Sequence, residues 1–300
     1  MLYPFIIRDL AKESCWTPEI GPASDIVSPY GYGGAFCWGA RDVRELSGRF
    51  WGQFDEWAAG QGVVSEFVRF SLFTEELLDY PGEKEERLLN VVRSLATTQD
   101  EMWMEFEHKV RKNVKRARSC SVGVRHDARG DCLDDFLEIY TATMDRRGAS
   151  AGYFFPRSYF CRLHETLAGQ FAYFHAYHGG RCVSSELVLV SAESAYSFLG
   201  GTDEAAFHLR PNELLKLEII GWAKQLGKKW FVLGGGSEPG DGIFRYKRSF
   251  APNGIRPFFV GRRILCEHAY ESLLANRREQ AGLSGLDWKP RCGYFPAYRS

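Results

Sequence analysis

The chain has 300 residues, 45% hydrophobic and 25% charged, the balance of a globular protein with one large or two ordinary domains. Lysine plus arginine equals aspartate plus glutamate at 38 each, which excludes a protein that coats nucleic acid by bulk charge and leaves open only a local basic face.

Along the chain, Ser28 to Gly34 reads as an irregular loop, because one proline and three glycines break regular structure. Its Tyr30 and Tyr32 are candidates to stack on a base or a sugar. A helix follows from about Val43 to Ala59. Ser65 to Phe73 alternates apolar and polar residues and predicts a strand, and Leu88 to Leu95 is a second candidate. Thr98 and Glu101 form a capping box, which predicts one long helix to about Arg118. Acid at its start and base at its end suit the helix dipole, so a solvated face explains much of its charge. Arg111, Lys115 and Arg118 fall on one side of it and offer a phosphate-facing alternative.

Ser121 to Arg125 predicts the next strand, and Leu133 to Arg147 an amphipathic helix with Phe136, Ile139, Tyr140 and Thr143 along one side. Pro156 opens another helix to about Ala168. Three strands then come in close order, Phe171 to Tyr177, Cys182 to Val190 and Ala195 to Leu199, with Gly179-Gly180 and Ser191 to Ser194 as turns. Asn212 to Leu226 predicts a helix between Pro211 and Gly227, the expected asymmetry of its ends. A buried strand, Trp230 to Leu233, leads into Gly234-Gly235-Gly236. Arg256 to Leu265 and Glu267 to Gln280 predict a last strand and helix.

Several chemistries find no support. The glycine run from Gly234 to Gly240 lacks the P-loop order, and there is no dinucleotide fingerprint and no G-x-S-x-G elbow. Cys161 and His164 are one helical turn apart, but nothing completes a four-ligand set, so no metal is expected. The eight cysteines are scattered without a C-x-x-C pair, as reduced thiols would be. The apolar run Leu2 to Ile7 is too short for a signal-peptide core, and no window approaches the length of a membrane span. A cytoplasmic location is the expectation.

The segment from Gly234 to Phe250, with its glycine-rich turn, the pair Tyr246-Lys247 and the later Phe250, resembles the Fem peptidyltransferase family. Tyr246 stands where that family more often has Phe. Phe106 to Ala117 is similar to the family's basic connecting helix. Tyr140 to Gly148 is similar to its acceptor-facing helix, and the Asn212 helix to the one before its last core strand. The likeness is good over roughly residues 100 to 260 and loose before them. Order of elements agrees as well: helix, helix, antiparallel strands, helix and strand match the core of a GNAT acyltransferase, whose two central strands splay to leave a cleft. The resemblance implies an α/β (α+β) fold of two tandem GNAT-like domains with mixed, mainly antiparallel sheets flanked by helices. The expected boundaries are 1–119, completed by 255–300, and 120–254.

The same resemblance implies transfer of an aminoacyl group from aminoacyl-tRNA to an amine of a peptidoglycan precursor or a small peptide scaffold, with no other cofactor. Acyl transfer needs a deprotonated amine and a stabilised oxyanion. Lys247 is the candidate for the oxyanion, with Tyr246 beside it, and Glu186 for the base if its side chain faces the cleft. Arg147 can grip a carboxylate or phosphate, and Tyr196 can hydrogen-bond the acceptor. Arg111, Lys115 and Arg118 would meet the tRNA. Between Leu199 and Leu214, the chain offers Gly200-Gly201-Thr202 and Arg210-Pro211-Asn212, not the R/Q-x-x-G-x-G/A turn that cradles the pyrophosphate of coenzyme A. Two alternatives stand beside this reading. One is an acyl-CoA-dependent N-acetyltransferase acting on a sugar or amine in polysaccharide synthesis. The other is a non-catalytic GNAT-like binding module.

Overall fold

A computed structural model describes residues 1–300. The elements in chain order are β1 (Ile6–Asp9), β2 (Ser24–Val27), α1 (Val43–Gly60), β3 (Val63–Arg69), β4 (Glu83–Ser94), α2 (Gln99–Glu105), α3 (His108–Ser119), β5 (Gly123–Asp127), α4 (Leu133–Arg147) and α5 (Arg157–Thr166). They continue with β6 (Phe171–His178), β7 (Arg181–Val190), β8 (Ser194–Thr202), α6 (Pro211–Gln225), β9 (Trp230–Gly235), α7 (Gly242–Arg248), β10 (Ile255–Ile264) and α8 (Glu267–Leu283). No helix is long and apolar enough to cross a membrane.

The chain forms two compact units, one of Met1–Leu88 with Pro257–Ser300 and one of Leu89–Arg256. In the first, β1 pairs antiparallel with β2, β2 parallel with β3, and β3 antiparallel with β10. Trp51, Phe54 and Ala58 of α1 pack with Ile26 and Val63, while Tyr270, Leu273 and Leu274 of α8 pack with Leu10, Val64 and Tyr298. Buried Asp25 ties this unit together, accepting from Arg8 at 2.6 Å, Tyr298 at 3.0 Å and Arg299 at 2.6 Å.

In the second unit, the sheet order is β4-β9-β8-β7-β6-β5. β8 and β9 are parallel, and the other neighbours are antiparallel. One core joins α2, α3 and α6 to one face of the sheet, through Val110, Val114 and Ala117 of α3 and Leu215 and Ile219 of α6. A second core, built on Phe136, Tyr140 and Phe160, joins α4 and α5 to the other face. The sequence boundary at residue 119 differs from the observed one at Leu88 and Leu89, because the apolar stripe of α3 is buried in this core.

The capping box at Thr98 is present, but the long helix it opens is broken in two. Phe106 leaves the helical conformation with ψ of 141°, its ring buried edge-on to Phe250 at 5.6 Å, and the Glu107 N–H donates to the Ser249 carbonyl at 2.9 Å. A tertiary contact overrides helix propensity here, with no proline or glycine to announce it.

Candidate active site

The second unit contains a splayed pair of strands. β8 and β9 pair only from Ser194–Trp230 through Tyr196–Val232, although β8 continues to Thr202 and β9 to Gly235. Beyond Tyr196 and Val232, the facing edges are not paired with each other, which leaves backbone polar groups available to a ligand or a side chain.

Side chains of β7, β8, α6 and α7 meet in this region. Glu186 of β7 is buried and accepts from Lys216 of α6 through both carboxylate oxygens, the longer contact being 2.5 Å. Lys216, also buried, donates to Ser197 Oγ of β8 at 2.8 Å. Lys247 of α7 donates to the Gly235 carbonyl at the end of β9 at 2.6 Å. Burial, then the like charge of Lys216, pushes the Lys247 ammonium down to about 8. Tyr246 packs edge-on to Phe250 at 5.2 Å, and its buried hydroxyl has no hydrogen-bond partner. Burial, then the negative charges of Glu213 and Glu186, holds that phenol well above its ordinary range, so it stays a neutral donor.

The turn that places Lys247 is organised by Asp241. Its carboxylate accepts the N–H groups of Ser237 at 2.7 Å and Phe244 at 2.7 Å, capping α7. A Cβ on Gly236 would lie 2.3 Å from Asp241 Oδ1, so the turn requires glycine there.

The other expected residues are distributed more widely. Tyr196 is the last β8 residue paired with β9, and strand alternation puts it on the opposite face from Ser197 and hence from Lys216. Arg147 is exposed at the end of α4; its neighbour Arg146 is the one that reaches β8, donating to the Thr202 carbonyl at 3.0 Å. Tyr30 and Tyr32 belong to the first unit, Tyr30 exposed and Tyr32 edge-on to Phe258. Arg111 donates to the carbonyls of Met104 and Phe106 and so closes the break between α2 and α3. Lys115 is exposed, and Arg118 makes a 3.5 Å pair with Glu218. Arg118 also borders an open cavity of about 470 Å³, lined by Trp103, His126, Phe174, Trp222 and Gln225.

Glu186 points toward α6, but its carboxylate is occupied by Lys216, so the arrangement makes it a counter-ion and not a free base. Lys216 and Ser197 are absent from the sequence-based set. The signal for Lys216 was a lone cation inside the apolar run Leu214 to Ile220 of α6.

Residues 105–248 match the family model described as an acetyltransferase (GNAT) domain. Over that stretch, the second unit is similar to a GNAT acyltransferase domain. Among solved structures, the chain is similar to FemX, with 14% identity, 83% of each chain covered and a TM-score of 0.61. It is also similar to L-PGS from Bacillus licheniformis, with 13% identity, 85% of this chain and 82% of that one covered, and a TM-score of 0.55. A conserved protein of unknown function from Bacteroides thetaiotaomicron VPI-5482 gives 12% identity, coverage of 87% and 83%, and a TM-score of 0.56. These likenesses show that the chain shares the fold of those structures. No curated protein sequence matches the chain. In the GNAT frame, β8 and β9 are the splayed central strands and α6 is the helix that follows the first of them.

Proposed function

We propose that the protein transfers an aminoacyl group from aminoacyl-tRNA to an amine of a peptidoglycan precursor or a small peptide scaffold. The amine nitrogen attacks the ester carbonyl carbon, a C–N bond forms, and a tetrahedral oxyanion develops. The ester C–O bond then breaks, and the released ribose oxygen takes up the proton that the amine nitrogen gives up, leaving as the hydroxyl. Lys247, a largely buried cation held at the end of β9, supplies positive charge to the oxyanion. The Glu186–Lys216 pair joins β7 to α6 nearby, with Glu186 favouring the ammonium, and Tyr246 offers a neutral O–H in the same region.

One observation carries the choice of donor. An acyl-CoA enzyme presents the N–H groups at the start of this helix to a pyrophosphate. Here the first turn of α6 holds Pro211, which has no N–H, and the Glu213 carboxylate, which accepts from Asn113 Nδ2 at 2.7 Å. A carboxylate at that end satisfies the helix dipole and repels a phosphate. Lys115 and Arg118 on α3 offer phosphate contacts elsewhere, Arg118 beside the aromatic-lined cavity.

The family's acetyltransferase description favours the second reading, an acyl-CoA-dependent enzyme acting on a sugar or amine. Calorimetry with acetyl-CoA separates the two. Absence of saturable binding at millimolar ligand is the expected outcome, and micromolar one-to-one binding would replace the tRNA donor with coenzyme A.

A further inference from the structure

On the face of the second unit that carries α4 and α5, three potential metal ligands converge. Asp127 is the last residue of β5, Cys132 immediately precedes α4, and His175 lies on β6. One ligand atom from each falls within 4.8 Å of the others. His175 is fully buried, and its Nε2 has no hydrogen-bond partner. That atom lies 3.9 Å from Asp127 Oδ2, too far for a hydrogen bond. A buried polar nitrogen left unsatisfied is costly, and most such groups in native proteins have a partner or serve a purpose.

The groups around the three residues are arranged as metal sites require. His175 Nδ1 lies 3.0 Å from Ser185 Oγ, the residue opposite it on β7. A ligating imidazole commonly donates its second N–H to such an acceptor, which fixes the ring and leaves the other nitrogen's lone pair for the metal. Asp127 Oδ1 accepts the N–H groups of Arg129 at 3.0 Å and Gly130 at 2.9 Å, and Oδ2 accepts that of Cys132 at 2.8 Å. The carboxylate is thereby locked in place. Cys132 is half-buried and unbridged, so an ion can enter from its side.

We infer that Asp127, Cys132 and His175 form a zinc site, with water as the fourth ligand. One carboxylate, one thiolate and one imidazole are the donors that borderline-soft Zn²⁺ takes in tetrahedral sites. With zinc–ligand bonds of about 2.0–2.3 Å, neighbouring donors in a tetrahedron sit roughly 3.3–3.6 Å apart, so donors now up to 4.8 Å apart draw in by as much as about 1.2–1.5 Å when the ion binds. The ion would tie the start of α4 to β5 and β6. It lies across the sheet from Glu186 and Lys216, so it is not part of the transfer chemistry. Spacing gave no notice of it, because the three ligands come from separate elements and form no short motif.

The test uses the full-length protein stripped with chelator. Titration with Co²⁺ should give one equivalent of binding and a near-ultraviolet thiolate-to-cobalt charge-transfer band. Zn²⁺ should displace the cobalt and raise Tm. Cys132→Ser, at a half-buried position where the fold survives, should lose the band. Ser185→Ala should weaken zinc affinity by about 10- to 100-fold through loss of the imidazole's outer partner. Replacing the exposed Cys161, Cys266 and Cys292 together with serine should change neither. A wild-type protein that shows no thiolate band, or a Cys132→Ser protein that keeps it, overturns the site.

Discussion

Lys247 Nζ donates to the Gly235 carbonyl across the turn that joins β9 to α7, fixing an ammonium at the open end of the splayed strands. No carboxylate neutralises it by direct contact, and the proposed mechanism uses this charge at a developing oxyanion, at some cost to the fold.

Lys247→Met should therefore separate activity from stability. Loss of an oxyanion contact should lower kcat by about 100-fold or more. The same change removes a buried cation whose depressed pKa costs the fold up to about 3 kcal/mol at neutral pH, so chemical denaturation should show a variant at least as stable as wild type. Unchanged turnover would remove Lys247 from the mechanism.

The pH dependence has a definite sign. In the proposed mechanism Lys247 acts as the ammonium, so kcat should fall as pH rises through about 8. For stability, the folded value lies below the ordinary 10.5, so between about 8 and 10.5 the unfolded chain binds more protons. Wild-type stability should then rise with pH across that window, and denaturation of Lys247→Met at matched pH should lack this component.

Glu186 and Lys216 form a buried pair, so either one alone is a liability. Lys216→Met or Glu186→Leu should each destabilise by about 3–5 kcal/mol, while the double variant should lose much less than the sum. Urea melts of the four proteins complete the cycle, and additive losses would show that the two charges do not support each other.

The basic helix divides into two roles. Lys115→Glu with Arg118→Glu should weaken tRNA binding and flatten its salt dependence with little change in Tm. Arg111→Glu should instead lower stability by about 1–3 kcal/mol, because its guanidinium holds the Met104 and Phe106 carbonyls. Filter binding across a salt series, with melts alongside, distinguishes them.

Much of the second unit was legible in the sequence, because its signals are local. The turns at Gly179-Gly180 and Ser191 to Ser194 that separate β6, β7 and β8, the Pro211 start and the glycine that ends α6, and the capping box at Thr98 each act within a few residues. Tyr246-Lys247 was found through family likeness, which carries the order of elements but not where side chains point. What escaped depends on distant partners. The break at Phe106 is made by Phe250 and Ser249, and the engagement of Glu186 by Lys216 on another element. Arg111 was read as a surface charge because helical periodicity shows its face and not the carbonyls exposed by a break.

The most direct test of the account is product mass after incubating the purified protein with aminoacyl-tRNA or acetyl-CoA and candidate amine acceptors. The account predicts an acceptor heavier by one aminoacyl residue, formed only with charged tRNA and lost with Lys247→Ala. An acetylated acceptor formed from acetyl-CoA, with charged tRNA inert, would contradict it.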